Sequence, residues 1–339
     1  MENGYTPAVE IYGANAALIN SRLVDVEYVD AAGIESDSLK LTVNIEGLDG
    51  LPSMDGRIGL RIGYRETGLV DRGEFIVSRA TPQLFPALLL VVATAAPFKV
   101  RDETRFKERR SRSYAAMTLG GLFRYIAAEH GFTPRVAPDL DGIPVLHEDQ
   151  SNETDAAFLT RLARRHDAVA KPVNELYVLA RRGQVKTLSG KELPPVKLAV
   201  TKDNRPGDRA FIGASVDHDS RVRFKGCRTT WWDGAAGVEC QVEVGAEPFK
   251  RIRQRYESEA QARQVAEGEL RRVERSAAKL RIDCPGNPAF GAEGLLELDE
   301  SWPSYMRGTW SIDKVTGRLN RREGYRCTLE ASYPEGRVS

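Results

Sequence analysis

The chain has 339 residues, more than one domain usually holds, and its 41% hydrophobic and 29% charged residues are mixed throughout, the makeup of a folded, soluble protein able to bury a core. A formal net charge of +1 excludes a global attraction to nucleic acid or an anionic membrane, so either role would need a local patch. Cys227, Cys240, Cys284 and Cys327 are widely spaced with no C-x-x-C pair, which argues for reduced core or strand cysteines rather than a disulfide or zinc framework.

The opening MENGYTPAVEIYG lacks a basic segment followed by an apolar run, so no secretory signal is evident and synthesis in a cytoplasm follows. The next stretches alternate with period two. In LKLTVNIEG (39–47) the residues Leu39, Leu41, Val43 and Ile45 share one face, and in RIGLRIGY (57–64) Ile58, Leu60, Ile62 and Tyr64 do. GEFIVS (73–78) and the apolar ALLLVVATAA (87–96) follow after turn-rich spacers. The latter has about half the length of a membrane helix. Close strands with no helical pattern between them predict an antiparallel meander, sandwich or barrel.

From Phe98 the composition changes, and the charged stretch 100–114 reads as a linker or exposed loop. TLGGLFRYIAAEHGF (118–132) predicts a short amphipathic helix, with Thr118 as N-cap, Leu119, Leu122, Phe123 and Ile126 on one face and Gly131 as stop. QSNETDAAFLTRLARRHD (150–167) predicts a second helix, capped by Asn152 and Asp155. Its buried stripe is Phe158, Leu159, Leu162 and Ala163, and Arg161, Arg164, Arg165 and His166 complement the dipole at its end. On that reading His166→Ala leaves assembly intact, whereas Leu162→Asp destabilises this region through a buried charge. ELYVLARRGQVKTL (175–188) reads as a hairpin turning at Arg182-Gly183, LPPVKLAV as a strand, and the polar TKDNRPGD (201–208) as a boundary. Beyond it come FIGASVDHD, RVRFKGCRTTWWD, GVECQVEVG, KLRIDC, GLLELDE, GTWSIDKV and YRCTLEASY, all strand-like. One long helix interrupts them, opened by Ser258 and Gln261 in a capping-box spacing, with Ala262, Val265, Ala266, Leu270, Val273 and Ala277 inward.

Motifs for chemistry are sparse. His130, His147, His166 and His218 have no metal-ligand spacing, and no nucleophile elbow, phosphate loop or dinucleotide fingerprint is present. No catalytic, cofactor-binding or metal residue is therefore assigned, and no cofactor. The acidic groups Asp139/Asp141, Glu153/Asp155 and Glu297/Asp299/Glu300 read as solvated surface, the alternative being glycosidase chemistry. Glu129 and His130 project about 100° apart on a helix and form no dyad; His130 reads as a helix-terminal residue satisfying the dipole. The basic stretches 100–114 and 250–281 are interleaved with acids, which favours a solvated or inter-subunit face over nucleic acid. Trp231, Trp232, Trp302 and Trp310 read as core and interface anchors.

Three stretches in this order carry a resemblance: SDSLKLTVNIEG with GRIGLRIGY and GEFIVS; RRSRSYAAMTLGGLFRYIAAEHGF with HEDQSNETDAAFLTRLARRHDAV; and GTWSIDKVTGRLNRREGYRCTLEA. Over most of its length the chain resembles the phage late control gene D family, the tail or baseplate hub proteins of contractile phage tails and R-type bacteriocins. The resemblance implies a mainly β fold with an α+β insert. Two tail-tube-like β-barrel domains, 1–99 and 206–339, the second with one long helix, would flank a mixed domain, 100–205. It implies a homotrimer whose six β units form a pseudo-sixfold ring between a hexameric tail tube and a trimeric central spike. The tape-measure protein and other baseplate subunits are further implied partners; membrane and nucleic acid are not. It implies an adaptor and not an enzyme, present in the host cytoplasm during assembly and then in the virion or bacteriocin baseplate. The chain carries no spike-like repeat before Ser339, so the spike is expected to be a separate polypeptide. A tail-associated enzyme acting on cell-wall glycan is the alternative. Where many members of the family have histidine in W-x-I-x-x-V-x-H, this chain has Gly317, so that histidine is not chemically required here.

Overall fold

The computed structural model describes residues 5–32, 37–48, 56–95, 108–173, 176–181, 194–218 and 224–334. Contacts divide the chain into two compact units, the first made of Met1–Pro97, Pro195–Val216 and Leu280–Ala331, the second of Phe98–Pro194, Asp217–Lys279 and Ser332–Ser339. The linear scheme of 1–99, 100–205 and 206–339 is thus regrouped: the last segment is shared between both units.

The first passage through unit one gives β1 (Pro7–Gly13), α1 (Ala16–Arg22), β2 (Leu23–Ala31), β3 (Ser38–Asn44), β4 (Arg57–Tyr64), β5 (Gly68–Gln83) and β6 (Leu88–Ala95). The period-two pattern sets what is buried: Leu39, Leu41 and Val43 on β3 and Ile58, Leu60 and Ile62 on β4 point into the core. The segment 73–78 is the middle of a much longer strand, β5, whose later half pairs with β6.

In unit two the chain forms β7 (Arg109–Tyr114), β8 (Met117–Thr118), α2 (Leu119–Glu129), β9 (Thr133–Val136), α3 (Pro138–Asp141), β10 (Pro144–Val145), β11 (Glu148–Thr154), α4 (Asp155–Arg165), β12 (Ala168–Val173) and β13 (Leu176–Arg181). The stretch 109–114, predicted as loop, is a strand paired with β11. The rest of that charged run, 100–107, lies outside the described residues. Thr118 caps α2, its Oγ1 accepting from the Gly121 amide at 3.0 Å, and Gly131 stops it at φ +74°. The cap of α4 is Thr154, not Asn152 or Asp155: Thr154 Oγ1 accepts from the Ala157 amide at 3.1 Å. Asn152 sits at φ +49° where the β7–β11 register shifts. Apolar faces of α2 and α4, including Phe123, Ile126, Phe158 and Leu162, share one core with Phe132, Tyr177 and Leu179. Strand β13 pairs antiparallel with β12 and parallel with β9; the turn predicted at Arg182-Gly183 and the strand after it lie outside the described residues.

The chain returns to unit one for β14 (Val196–Leu198) and β15 (Gly213–His218), then gives unit two β16 (Gly226–Asp233), β17 (Val238–Gly245), β18 (Phe249–Tyr256) and α5 (Glu259–Arg275). The apolar stripe of α5 explains this placement. Ala262 and Val265 pack with Val242 and Tyr256 on the β17-β16-β18 sheet, and Gly268 lies so close to α4 that a Cβ there would meet the Arg165 carbonyl at 2.8 Å. Leu270, Val273 and Ala277 are only half-buried. Strand β18 is absent from the predicted elements, because its arginines hide the alternation.

The last passage through unit one gives β19 (Ala278–Pro285), β20 (Leu295–Leu298), β21 (Gly308–Asn320) and β22 (Gly324–Ser332). These strands do not form a separate sheet. β2 pairs antiparallel with β21, so that a twelve-stranded sheet runs β1-β4-β5-β6-β3-β2-β21-β22-β19-β15, with β20 on β21 and β14 on β20. The protein is mainly β, as predicted. The four cysteines are free and lie on β16, β17, β19 and β22. Among the described residues no helix is long and apolar enough to cross a membrane.

Candidate functional site

In unit one the polar residues gather where the two strand groups meet. Tyr28 on β2 and Tyr325 on β22 share a hydrogen bond of 2.9 Å between buried hydroxyls, and burial raises the pKa of both. The Arg72 guanidinium lies 4.9 Å from the Tyr28 ring centroid and donates to the carbonyls of Pro288 (2.8 Å) and Phe290 (3.0 Å). Tyr64 Oη donates to the Gly286 carbonyl at 2.6 Å, and Asp30 accepts from the Ala292 amide at 3.0 Å. Long side chains of the first group thus satisfy backbone of the last. This is a structural seam.

Gly317, at the position where a histidine is common in the resembling family, faces Tyr28 across this seam. A Cβ at 317 would lie 2.1 Å from the Tyr28 ring. Space, rather than dispensable chemistry alone, accounts for the glycine.

In unit two the buried polar centre is Asp155, with no exposed surface on its side chain. Its carboxylate lies 2.7 Å from His130 Nε2, accepts from Gln150 Nε2 at 2.7 Å, and is 3.3 Å from Arg110 Nη1. Asp155 is therefore not a solvated acid, and His130 is not merely a helix-end group: it is a buried histidine bonded across to the start of α4. Sequence spacing could not reveal this pair, because the two residues are brought together by packing of α2 against α4. Glu129, His130 and Asp155 each offer a ligand atom within 4.8 Å of the others. Arg112 Nη1, 2.7 Å from Glu129, and Arg110 already supply the positive charge, so a metal ion would have to displace two guanidinium groups.

Beside it opens a cleft of about 540 Å³, lined by Glu148, Asp149, Glu153, Arg161 and Arg165 on one side and by Gln254, Arg255, Tyr256 and Gln261 on the other. Two of its arginines are committed. Arg161 reaches Glu148 (2.7 Å) and Glu153 (2.6 Å), and Arg165 reaches Glu148 at 2.5 Å.

At the end of α4 the structure corrects the reading of His166 as a dipole-satisfying cation. His166 is buried, and burial together with Arg165, Arg181 and Arg271 pushes its pKa down to about 4, leaving it neutral at pH 7. The neighbouring Asp167, at φ +53°, takes a two-pronged buried ion pair from Arg275 of α5.

The remaining acids singled out by sequence are paired or local. Asp139 is bonded by Arg181 and Asp141 by Arg124 at 2.6 Å; Glu297 lies 3.6 Å from Lys197, and Asp299 accepts from the Ser301 amide at 2.9 Å. Trp302 and Trp310 are buried, their Nε1 atoms donating to the carbonyls of Leu198 (2.6 Å) and Met306 (2.8 Å). Trp231 packs towards α5, whereas Trp232 is 43% exposed with Arg255 stacked on it at 5.4 Å.

No protein-family model matches the chain. It is 32% identical over 214 residues to a protein of Escherichia phage P2 named probable baseplate hub protein, covering 63% of this chain and 52% of that one. It is 27% identical over 356 residues to the protein of the same name from Escherichia phage 186, covering 92% of this chain and 88% of the other. The match to the P2 protein thus spans about half of that relative. The fold is similar to the crystal structure of the tail protein from Neisseria meningitidis, with a TM-score of 0.68, 13% identity and 97% of each chain covered.

Proposed function

From the premise that this chain is a relative of phage baseplate hub proteins, in line with its resemblance to the late control gene D family, we propose that it is itself the structural hub of a contractile tail. The observation that carries the proposal is the similarity to the phage 186 protein, which runs through 92% of this chain and 88% of that one. The fold supports it in a second way. Strands β1 to β6 and strands β14, β15 and β19 to β22 form two groups within one sheet, joined at the β2–β21 ladder and ending in the outer strands β1 and β15. On this reading each group is one tail-tube-like unit. Three chains then present six such units, a pseudo-sixfold ring that meets the hexameric tube on one face and the trimeric spike on the other. The tape-measure protein and neighbouring baseplate subunits are its further partners. The work of the chain is to match symmetries and bear load, not to catalyse. It is made in the host cytoplasm and ends in the tail.

The test is size and shape. Light scattering of the purified chain at assembly concentrations, followed by electron microscopy, is expected to give a trimer and a central-holed ring about one tail tube wide. A chain that stays monomeric at all concentrations and is missing from purified tail particles overturns the proposal.

A further inference from the structure

Strand β18 is the outer strand of the β17-β16-β18 sheet, hydrogen-bonded along one side only among the described residues. Ile252 and Tyr256 face α5 and belong to that core, while Arg251, Arg253 and Arg255 are exposed. The other basic residues of this sheet are neutralised, Lys250 by Glu269 at 2.7 Å and Arg228 by Glu243 at 2.8 Å. Among the described residues, Arg251, Arg253 and Arg255 have no carboxylate within ion-pair distance; Arg255 rests on the exposed Trp232 instead.

We propose that the open edge of β18, with the row Arg251, Arg253, Arg255 and the adjoining Trp232, docks an extended acidic segment of a partner protein as a fourth strand. Same-face side chains recur about every 6.8 Å along a regular strand, and β18 departs from that repeat between Arg251 and Arg255, where its register against β16 shifts, so an added acidic strand meets the arginine row from both sides of that irregularity. Backbone hydrogen bonds to the open edge supply the affinity, and the arginine row supplies the selection. Covering three guanidinium groups without carboxylates would leave buried unpaired charge. Trp232 with Arg255 has the makeup of an interface anchor. A nucleic-acid strand fits less well. It has no regular row of amide donors and carbonyl acceptors with which to continue the β17-β16-β18 ladder along the open edge. This reading stands independently of the ring.

The test uses the full chain and three fluorescein-labelled probes of equal length: a peptide alternating glutamate with threonine, its lysine counterpart, and a single-stranded oligo-dT. Anisotropy titrations are expected to favour the glutamate peptide by at least about tenfold over both others. Hydrogen exchange is expected to slow at the amides of 250–256 when it binds. The variant R251E/R253E/R255E is expected to weaken the glutamate peptide at least about tenfold. W232A, a single change at an exposed site, is expected to weaken it as well and covers the case in which the triple variant folds poorly. The proposal is overturned by equal binding of the glutamate and lysine peptides, by preference for oligo-dT, by binding that leaves the β18 amides unprotected, or by no binding to the unaltered chain.

Discussion

The ring of Tyr28 lies against the backbone of Gly317, its register partner across the β2–β21 ladder, so closely that a Cβ at 317 would meet ring carbon Cε1 at 2.1 Å. The ring cannot retreat, because Tyr325 holds its hydroxyl at 2.9 Å and Arg72 covers its face. Gly317→Ala is therefore expected to cost about 1–3 kcal/mol of unit-one stability, and Gly317→His more. Urea denaturation of both variants measures this. The penalty should shrink when Tyr28→Ala is introduced first; an unchanged penalty in that background would refute the contact as its cause.

Asp155 is held by His130, Gln150 and Arg110 in the interior of unit two. Asp155→Ala removes the fully buried carboxylate on which these three side chains converge. A loss of about 3–5 kcal/mol is expected, read by chemical denaturation. Glu153→Ala, at a half-buried rim position paired to Arg161, should cost less than about 1 kcal/mol in the same experiment.

Arg275→Ala strands the Asp167 carboxylate and should destabilise unit two by a similar few kcal/mol, about 3–5. Combining Arg275→Met with Asp167→Asn should recover most of it, because asparagine tolerates φ +53° and neither residue is then charged. Thermal unfolding followed by near-ultraviolet circular dichroism distinguishes the single from the double variant.

His166 gives unit two a pH dependence of definite sign. Its pKa is about 4 in the folded chain against 6.5 when unfolded, so below pH 6.5 the unfolded chain takes up a proton that the fold refuses. Stability from this residue is intact above pH 6.5 and falls by about 1.4 kcal/mol per pH unit as pH drops towards 4. His166→Gln should flatten that slope in urea midpoints taken across the window; an unaltered slope would show that another group is responsible.

Leu162 is 2% exposed in the core shared by α2 and α4, so Leu162→Asp should unfold unit two outright, seen as loss of its cooperative transition. His166→Ala is not silent on this structure. It empties a buried site and should lower stability by about 1–3 kcal/mol while leaving oligomeric state, measured by light scattering, unchanged.

Local pattern carried far in this chain. Leu39, Leu41 and Val43, or Phe158, Leu159 and Leu162, declare strand and helix because period two and period 3.6 each put apolar groups on one side, and burial of that side is a local consequence of composition. The cap at Thr118 and the stop at Gly131 were legible for the same reason. The order of three such stretches was enough to suggest the hub family. What the sequence could not determine is which buried faces meet. That β2 would pair with β21, that α5 would pack on β16 to β18 and against α4 rather than with the strands following it, and that His130 would find Asp155 depend on contacts far apart along the chain. Polar residues were misread for that same cause. A carboxylate or histidine at a helix end is locally compatible with a cap, a dipole partner or a buried bond. Only the tertiary structure fixes the solvent and charge around it, and these decide its protonation and its role.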